Sequence, residues 1–309
     1  MRIKLLPDHP NFSFVQKRMF FFAFSAFLVA ASVAIFSVKG LSYGIDFTGG
    51  IMIEVKTDVP GQIGEMRAKL KNIGLGAVEL QEFGAPDDIL IRLQAQDGGE
   101  KANQMAVNAV KAALGDGIEY RRTELVGPKV SDELFMSGLY AVISAILAIL
   151  IYIWFRFEWQ FGLSAVIALT HDVVTTIGVF SLIQHEFNLA TVAAVLTIAG
   201  YSINDTVVVF DRVRENLRKY KTKPMDELLN QSANDTLSRT VMTSFTTLLA
   251  LFALYIFGGE IIRDFAFAMI WGVVIGTYSS IGVAVPLLLH MAVQRRTIEE
   301  DNASAEQNP

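Results

Sequence analysis

The stretch that decides the fold is MFFFAFSAFLVAASVAIFSV, residues 19–38, which is apolar except for three serines. It has the length of about 20 residues that an α-helix needs to cross the hydrocarbon core of a bilayer. Lys17 and Arg18 stand before it. Residues 32–34 (Ser-Val-Ala) fit a signal-peptidase site, but the apolar run is longer than a signal-peptide core. An uncleaved first membrane helix is therefore favoured over a cleaved leader.

Five further apolar segments follow, and the composition of the whole chain agrees with them. Of its 309 residues, 52% are hydrophobic and 18% charged, and the mean hydropathy is +0.41. Soluble proteins carry about 25% charged residues, so an ordinary soluble enzyme and a disordered chain are both excluded. The later spans are predicted at residues 134–154, 161–184, 189–210, 240–257 and 265–290. The sequence thus predicts a polytopic α-helical membrane protein with six transmembrane helices.

Charge and cysteine content narrow the function classes further. The chain carries 26 Lys and Arg against 31 Asp and Glu, a net charge of −5, and it has no cysteine. A strongly basic nucleic-acid-binding protein is excluded, and so are a disulfide framework and a thiolate metal site. The sequence also lacks the common hydrolase and phosphate-binding signatures, so we expect a protein that is not an enzyme and needs no cofactor or metal.

The distribution of Lys and Arg predicts the orientation of the spans, because short cytoplasmic loops hold an excess of both. With a cytoplasmic N-terminus, four lie in residues 1–18, one after the second span, seven in residues 211–239 and two in the tail, residues 291–309. The short loops of the opposite side have only Arg263. Both termini are therefore predicted to be cytoplasmic and the tail disordered. Residues 211–239 would form a basic cytoplasmic loop that contacts anionic lipids.

Residues 39–133 are predicted to form an α/β domain on the opposite, periplasmic side. Ile51, Ile53 and Val55 alternate as in a half-buried strand. Other short strand patterns flank two segments whose apolar residues recur every three or four positions, as in helices. The order of elements, β-α-β-β-α-β, is that of a ferredoxin-like fold. We expect one small domain of this kind between transmembrane helices 1 and 2, with a five-helix bundle over residues 134–290.

Ionisable and polar residues inside three of the spans are the candidate functional groups. His171 and Asp172 lie in the third span, Asn204 and Asp205 in the fourth, and Arg239 at the start of the fifth. A carboxylate at the bilayer centre costs about 2.5–3.5 kcal/mol on insertion scales, so each one needs a reason. Hydroxyl residues extend these positions into polar stripes on the fourth and fifth spans: Thr197, Tyr201, Thr243 and Thr246.

These groups are predicted to form a proton relay. Burial raises the pKa of a carboxyl and a nearby guanidinium lowers it, so a carboxyl under both influences can take up and release a proton near neutral pH. We expect Asp205 to carry the proton, Arg239 to modulate it, and His171 with Asp172 to form a second station. Two structural alternatives stay open. In one, Asp172 lies close to a membrane surface; in the other, Asp205 and Arg239 form an ion pair that only locks helices together.

Several motifs resemble those of the SecD/SecF family of protein-export membrane proteins. The most specific is GYSINDTVVVFDRVREN at residues 200–216, and GIDFTGG at residues 44–50 follows the first span. Shorter matches are Val126-Gly127-Pro128, Phe155-Arg156-Phe157-Glu158-Trp159, His171-Asp172-Val173, Arg239-Thr240 and Thr243-Ser244. The single outer domain, roughly 90 residues long, is more similar to that of the SecF branch than to that of SecD.

The resemblance implies a subunit of the bacterial inner membrane, related to the RND superfamily of transporters. Such a subunit pairs with SecD and works with the SecYEG channel, the SecA motor and YajC to promote late export of preproteins, drawing on the proton gradient. Matched position by position, Asp205 and Arg239 correspond to the family's proton-pathway residues. Asp46, Gly49 and Gly50 would form an elbow after the first helix, where glycine allows backbone geometry that other residues resist.

Three rival functions stay open at this point. Half of an RND-type small-molecule exporter would have six spans, but the outer domain offers no large substrate vestibule. An intramembrane aspartyl protease would use Asp172 and Asp205, but its Gly-x-Gly-Asp signature is missing, since Ser-Ile-Asn precedes Asp205. A neighbouring Arg239 would also hold the carboxyl ionised, against the shared proton of such a pair. The third rival is a scaffold that only stabilises the translocase.

Overall fold

The computed structural model describes residues 10–58, 62–71, 73–76, 78–83, 85–96, 98–115, 117–258 and 260–291. The chain divides into two compact units. The α/β unit holds Ser42–Ala141 together with Glu186–Leu189, and the helical unit holds the other described residues. The predicted cytoplasmic tail lies outside the described residues except for Met291, and so do the first nine residues of the predicted N-terminal segment.

The first helix and the α/β unit follow the predicted order. Helix α1 (Arg18–Lys39) leads through β1 (Ser42–Tyr43) and the short helix α2 (Ile45–Thr48) into a four-stranded sheet with two helices. Its elements are β2 (Gly50–Thr57), α3 (Ile63–Lys71), β3 (Val78–Phe83), β4 (Ala85–Leu93), α4 (Glu100–Leu114) and β5 (Ile118–Val126). The strands lie in the order β3-β4-β2-β5, and all neighbours are antiparallel. This arrangement confirms the predicted ferredoxin-like domain.

The central strand β2 separates two apolar layers, because successive side chains of a strand point to opposite faces. Ile53 is fully buried and belongs to the same core as Met66 of α3 and Val107 of α4. Met52 lies in a second, smaller cluster with Ile45 of α2. The α/β unit extends beyond the predicted range 39–133, since it includes the first turns of the next helix and residues 186–189.

The remaining helices complete the predicted set of spans. They are α5 (Pro128–Arg156), α6 (Trp159–Ile183), α7 (Leu189–Lys219) and α8 (Met225–Phe257), with the two-residue strand β6 (Glu186–Phe187) before α7. The last segment consists of α9 (Glu260–Ser279), a π-helical turn (Ser280–Ala284) and α10 (Val285–Leu288). Within the described residues six helices, α1 included, are long and apolar enough to cross a membrane. This confirms the predicted polytopic α-helical fold.

The predicted basic loop 211–239 is mostly helical instead. Helix α7 continues to Lys219 and α8 begins at Met225, so only residues 220–224 connect them. The spans were delimited by where apolar residues stop, but a helix can continue past the membrane with polar residues on its surface. Salt bridges of Arg212 with Glu215, three residues on, and with Asp235 of α8 stabilise these extensions.

The π-helical turn in the last segment has a local cause. Pro286 has no N–H, and in a regular α-helix its ring would clash with the carbonyl of Gly282, four residues earlier. The Ser164 hydroxyl of α6 donates to the carbonyl of Ala284 at 2.6 Å, inside the widened turn. Such turns often mark functional sites, and this one begins directly after the buried Ser279.

Candidate functional site

Asp172 is the centre of a buried polar cluster where α6, α7 and α9 meet. The residue has no exposed surface. Its Oδ2 accepts hydrogen bonds from Ser202 of α7 at 2.6 Å and from Ser279 of α9 at 2.7 Å. Its Oδ1 lies 2.9 Å from Nδ1 of His171. Partners within the chain therefore occupy both carboxylate oxygens. The depth of Asp172 in the membrane stays a prediction, because burial within the chain does not measure the distance to a membrane surface.

His171 connects this cluster to the first helix through Tyr278. The two rings lie 6.0 Å apart, and the Tyr278 hydroxyl donates to the carbonyl of Phe21 at 2.9 Å. The same hydroxyl lies 2.9 Å from Oγ of Ser25. Nε2 of His171 is buried and has no hydrogen-bond partner among the described residues. One ring nitrogen is therefore uncommitted, and an imidazole nitrogen can either donate or accept a hydrogen bond there.

Among the described residues, Thr240 is the donor within hydrogen-bond distance of Asp205. Asp205 is 8% exposed on α7, and its Oδ1 accepts from Oγ1 of Thr240 on α8 at 2.9 Å. Its Oδ2 is buried without a hydrogen-bond partner in the part of the chain that the structure describes. A buried charged oxygen without a partner is costly, so this carboxyl is a place where a proton or a new donor would be bound.

Arg239 and Asn204 are exposed rather than gathered around Asp205. Between the described Arg239 and Asp205 no ion pair within 4 Å is formed, although Arg239 directly precedes Thr240. The alternative of a simple Asp205–Arg239 lock is thus not the arrangement observed. Arg239 lies on the same turn of α8 as Thr240, and its guanidinium can still act on the Asp205 carboxylate through its charge, without a direct contact.

The predicted polar stripe also lies mainly on the surface of this chain. Thr197, Thr243 and Thr246 are exposed and donate to carbonyls of their own helices. Tyr201 is half-buried, and its hydroxyl donates to Ser244 of α8 at 3.2 Å. The stripe therefore forms a polar surface on α7 and α8, which we call the polar strip: Thr197, Tyr201, Asn204, Arg239, Thr243 and Thr246.

Four hydroxyl residues of the site were not identified from the sequence: Ser202, Ser279, Thr240 and Ser280. Ser202 lies one helical turn before Thr206, whose hydroxyl is 3.1 Å from that of Ser280. Hydroxyl residues are frequent in membrane helices because they bond their own backbone, so composition alone does not single them out. Gly276 of α9 lets Ser202 come close to this helix, since a Cβ there would lie 3.3 Å from the Ser202 side chain.

The elbow residues form a compact turn within the α/β unit. Gly49 and Gly50 follow α2 with φ of +68° and +123°. A Cβ on Gly50 would lie 2.5 Å from the carbonyl oxygen of Leu93, so only glycine fits. Oδ2 of Asp46 accepts a hydrogen bond from the backbone N–H of Leu189, the first residue of α7, at 3.0 Å. Asp46 thus caps the helix that carries Asp205.

Metal and lipid chemistry can also be judged from the geometry. Within the described residues no group of three or more His, Asp or Glu side chains is arranged to hold a metal ion. In the basic segment, Arg212 is paired with Glu215 and Asp235. Asp211 of the same segment accepts two hydrogen bonds from Arg156, the last residue of α5, at 2.7 and 2.8 Å. The site is therefore one of carboxylates, hydroxyls and one imidazole, a set suited to moving protons.

Comparisons with known proteins agree on one family. The model "Protein export membrane protein SecD/SecF, C-terminal" matches residues 106–294, and the "SecD/SecF GG Motif" model matches residues 34–60, which include the elbow. The protein translocase subunit SecF of Cereibacter sphaeroides is 46% identical over 99% of this chain and 97% of its own length. SecF of Rickettsia akari is 44% identical over 94% of this chain and 95% of its own length.

Solved structures point the same way. SecDF of Thermus thermophilus, described as a translocon-associated membrane protein, superposes with a TM-score of 0.83 at 36% identity. A SecDF in a "super-membrane-facing form" gives 0.67 at 33% identity. They cover 94% and 100% of this chain, which spans only 39% and 42% of theirs. The chain therefore belongs to the SecF branch of the SecD/SecF family of protein-export membrane proteins.

Proposed function

We propose that this chain uses the proton gradient to promote a late step of preprotein translocation, with Asp205 as its proton carrier. The observation that carries the proposal is the uncommitted Oδ2 of Asp205, buried in the helical unit beside the polar strip. A proton that crosses 100 mV releases about 2.3 kcal/mol. This energy is comparable to the difference between two helix arrangements that a protein can populate in turn.

Asp172 is the less suitable carrier, and we assign it the second station. Its carboxylate already accepts two serine hydroxyls and faces His171, and these partners stabilise the charged form against protonation. Asp205 has one donor and one open oxygen. Different side chains bond the two carboxyls, whereas an aspartyl protease needs two carboxyls that share one proton. We accordingly propose a transport subunit rather than an enzyme.

We propose SecD as the partner that covers the polar strip. Exposed polar side chains in a membrane helix are costly towards lipid, and they are expected to face another protein or a water-filled path. The solved relatives named SecDF have more than twice the length of this chain, which leaves room for a SecD part beside a SecF part. In this arrangement Arg239, Asn204 and Asp205 would lie along the seam between the two subunits.

The wider setting follows from the same reasoning. We propose the bacterial inner membrane, with both termini cytoplasmic and the α/β unit periplasmic, because Lys and Arg concentrate at one end of the helices. SecYEG, SecA, YajC and the emerging preprotein would be the assembly partners. Anionic lipids would meet the basic side chains of residues 211–239.

The experiment compares preprotein release from membrane vesicles with and without a membrane potential. Asp205→Asn should insert normally but lose the acceleration that the potential provides. The matched control Asp235→Asn removes a carboxyl outside the apolar core and should keep the acceleration by the potential. Release that never depends on the potential, even with the unaltered chain, would instead favour the scaffold function.

A further inference from the structure

The segment that precedes α7 is bound into the α/β unit by backbone pairing. β1 and β6 are parallel neighbours, with Ser42 opposite Glu186 and Tyr43 opposite Phe187. The N–H of Gly44 donates to the carbonyl of Phe187 at 3.0 Å. A Cβ on Gly44 would lie 3.1 Å from Cβ of Asn188, so the two segments are in close contact.

A largely buried ion pair fastens the same segment to the sheet. Nη2 of Arg92, on β4, lies 3.1 Å from Oε2 of Glu186, and the two side chains are only 16% and 10% exposed. Nη1 of Arg92 also donates to the Ser42 hydroxyl at 3.4 Å. Breaking such a pair by removing one partner leaves a buried charge uncompensated, so it holds the segment much more firmly than a surface pair would.

A third bond reaches the helix itself. The carboxylate of Asp46 accepts the N–H of Leu189 at 3.0 Å. An acidic group at a helix N-terminus bonds an otherwise unsatisfied N–H and is attracted by the helix dipole. Asp205 lies on the same helix, about 24 Å further along its axis.

We infer that Arg92, Glu186 and Asp46 form a clamp that makes the start of α7 move together with the α/β unit. The three are positioning residues: they contact neither Asp205 nor a substrate. A displacement of α7 on proton uptake would reach the sheet through this clamp because an α-helix is stiff along its axis and the clamp holds its first residue. The inference rests on the proposed function, for which it supplies the link between proton uptake and the outer domain.

The test uses the full chain in membrane vesicles with its translocation partners. Arg92→Met removes the cation and Arg92→Lys keeps it. The control Arg122→Met removes another cation of the same unit, whose partner Glu124 is a half-exposed carboxylate. Amide hydrogen exchange over residues 186–192 reports on the clamp, a pH-sensitive dye reports proton flux, and preprotein release reports the work done. Because the chain has no cysteine, spin labels at introduced cysteines can also follow the α/β unit cleanly.

We expect Arg92→Met to raise exchange over residues 186–192 about tenfold. Its potential-driven release should fall by at least about fivefold while proton flux persists. Arg92→Lys and Arg122→Met should stay within about twofold of the unaltered chain on all three readouts.

Two results would overturn the clamp: unchanged exchange in Arg92→Met, or faster exchange with full potential-driven release. Failure of the proposed function is separable, because it would appear as full potential dependence in Asp205→Asn with Arg92 intact.

Discussion

Thr240 Oγ1 donates to Oδ1 of Asp205 at 2.9 Å, and this bond ties α8 to α7 beside the polar strip. The threonine directly follows Arg239, so rotation of α8 would move the hydroxyl and the guanidinium together relative to the carboxylate. Because Thr240 bonds Oδ1, the open Oδ2 of Asp205 is the oxygen at which we expect a proton. Helix α8 is the element through which a partner subunit could act on the carboxyl.

Removing the Thr240 hydroxyl should therefore impair transport more than folding. In Thr240→Val the buried carboxylate loses its donor, a loss of about 1–3 kcal/mol. We expect potential-driven release to fall about tenfold or more, measured in the vesicle assay, while the amount of inserted chain stays near normal. Thr240→Ser keeps the hydroxyl and should retain most of the activity. Equal defects in both variants would mean that the bond does not matter.

Ser279 should contribute mainly to stability. Ser279→Ala removes one of the two hydroxyl donors to Oδ2 of the fully buried Asp172 and should cost about 1–3 kcal/mol. The free energy of unfolding in detergent measures this. The control is Ser37→Ala, an exposed serine that bonds only its own helix, with an expected change within about 0.5 kcal/mol. If Ser279→Ala left the free energy of unfolding unchanged, Asp172 would not be a group that stabilises the contact of the three helices.

Gly50 should tolerate no side chain. Its φ of +123° and the 2.5 Å approach of a Cβ to the Leu93 carbonyl oxygen predict that Gly50→Ala destabilises the α/β unit by at least about 1–3 kcal/mol. Gly64→Ala is the matched control, because Gly64 lies in α3 with no atom within 4 Å of a new Cβ. It should be neutral or stabilising by up to about 1 kcal/mol. Hydrogen exchange of the β2 amides measures the stability of the α/β unit in both variants.

The exposed pair Lys56–Asp87 sets a pH dependence of the α/β unit. The hydrogen bond from Lys56, 3.1 Å away, holds the pKa of Asp87 below its ordinary 3.8. A carboxyl whose pKa is lower in the folded state stabilises the fold above its unfolded pKa, and the contribution is lost as pH falls through the folded pKa. Lys56→Met should therefore move the titration of Asp87 up towards 3.8 and remove this acid-sensitive contribution.

Carbon-13 NMR of the Asp87 carboxyl measures that titration directly. Lys101→Met removes a lysine of α4 instead and should leave the Asp87 curve where it is. An Asp87 titration that is the same with and without Lys56 would contradict the assignment.

The sequence was informative where a residue type is rare in its setting. Asp172 and Asp205 were identifiable because carboxylates seldom occur in apolar segments, and the ferredoxin-like order followed from strand and helix periodicity. The donors Ser202, Ser279 and Thr240 were not identifiable from the sequence, because a hydroxyl in a membrane helix usually bonds its own backbone. Which hydroxyls reach a carboxylate depends on how three helices are rotated against each other.

Long-range partners escaped prediction for a related reason. Asp46 was expected at an elbow, but its bond to Leu189 joins residues 143 positions apart. The extent of α7 and α8 was missed because apolarity marks the membrane boundary rather than the end of a helix. The roles of Asp205, Arg239 and the polar strip in proton movement stay predictions.

The most direct measurement of the central claim is infrared difference spectroscopy of the full chain in membranes between acidic and alkaline buffer. Asp205 should give a carboxyl C=O band that appears on acidification, vanishes in Asp205→Asn and persists in the control Glu227→Gln. The same band in unaltered form in Asp205→Asn, with potential-driven release intact, would contradict the account.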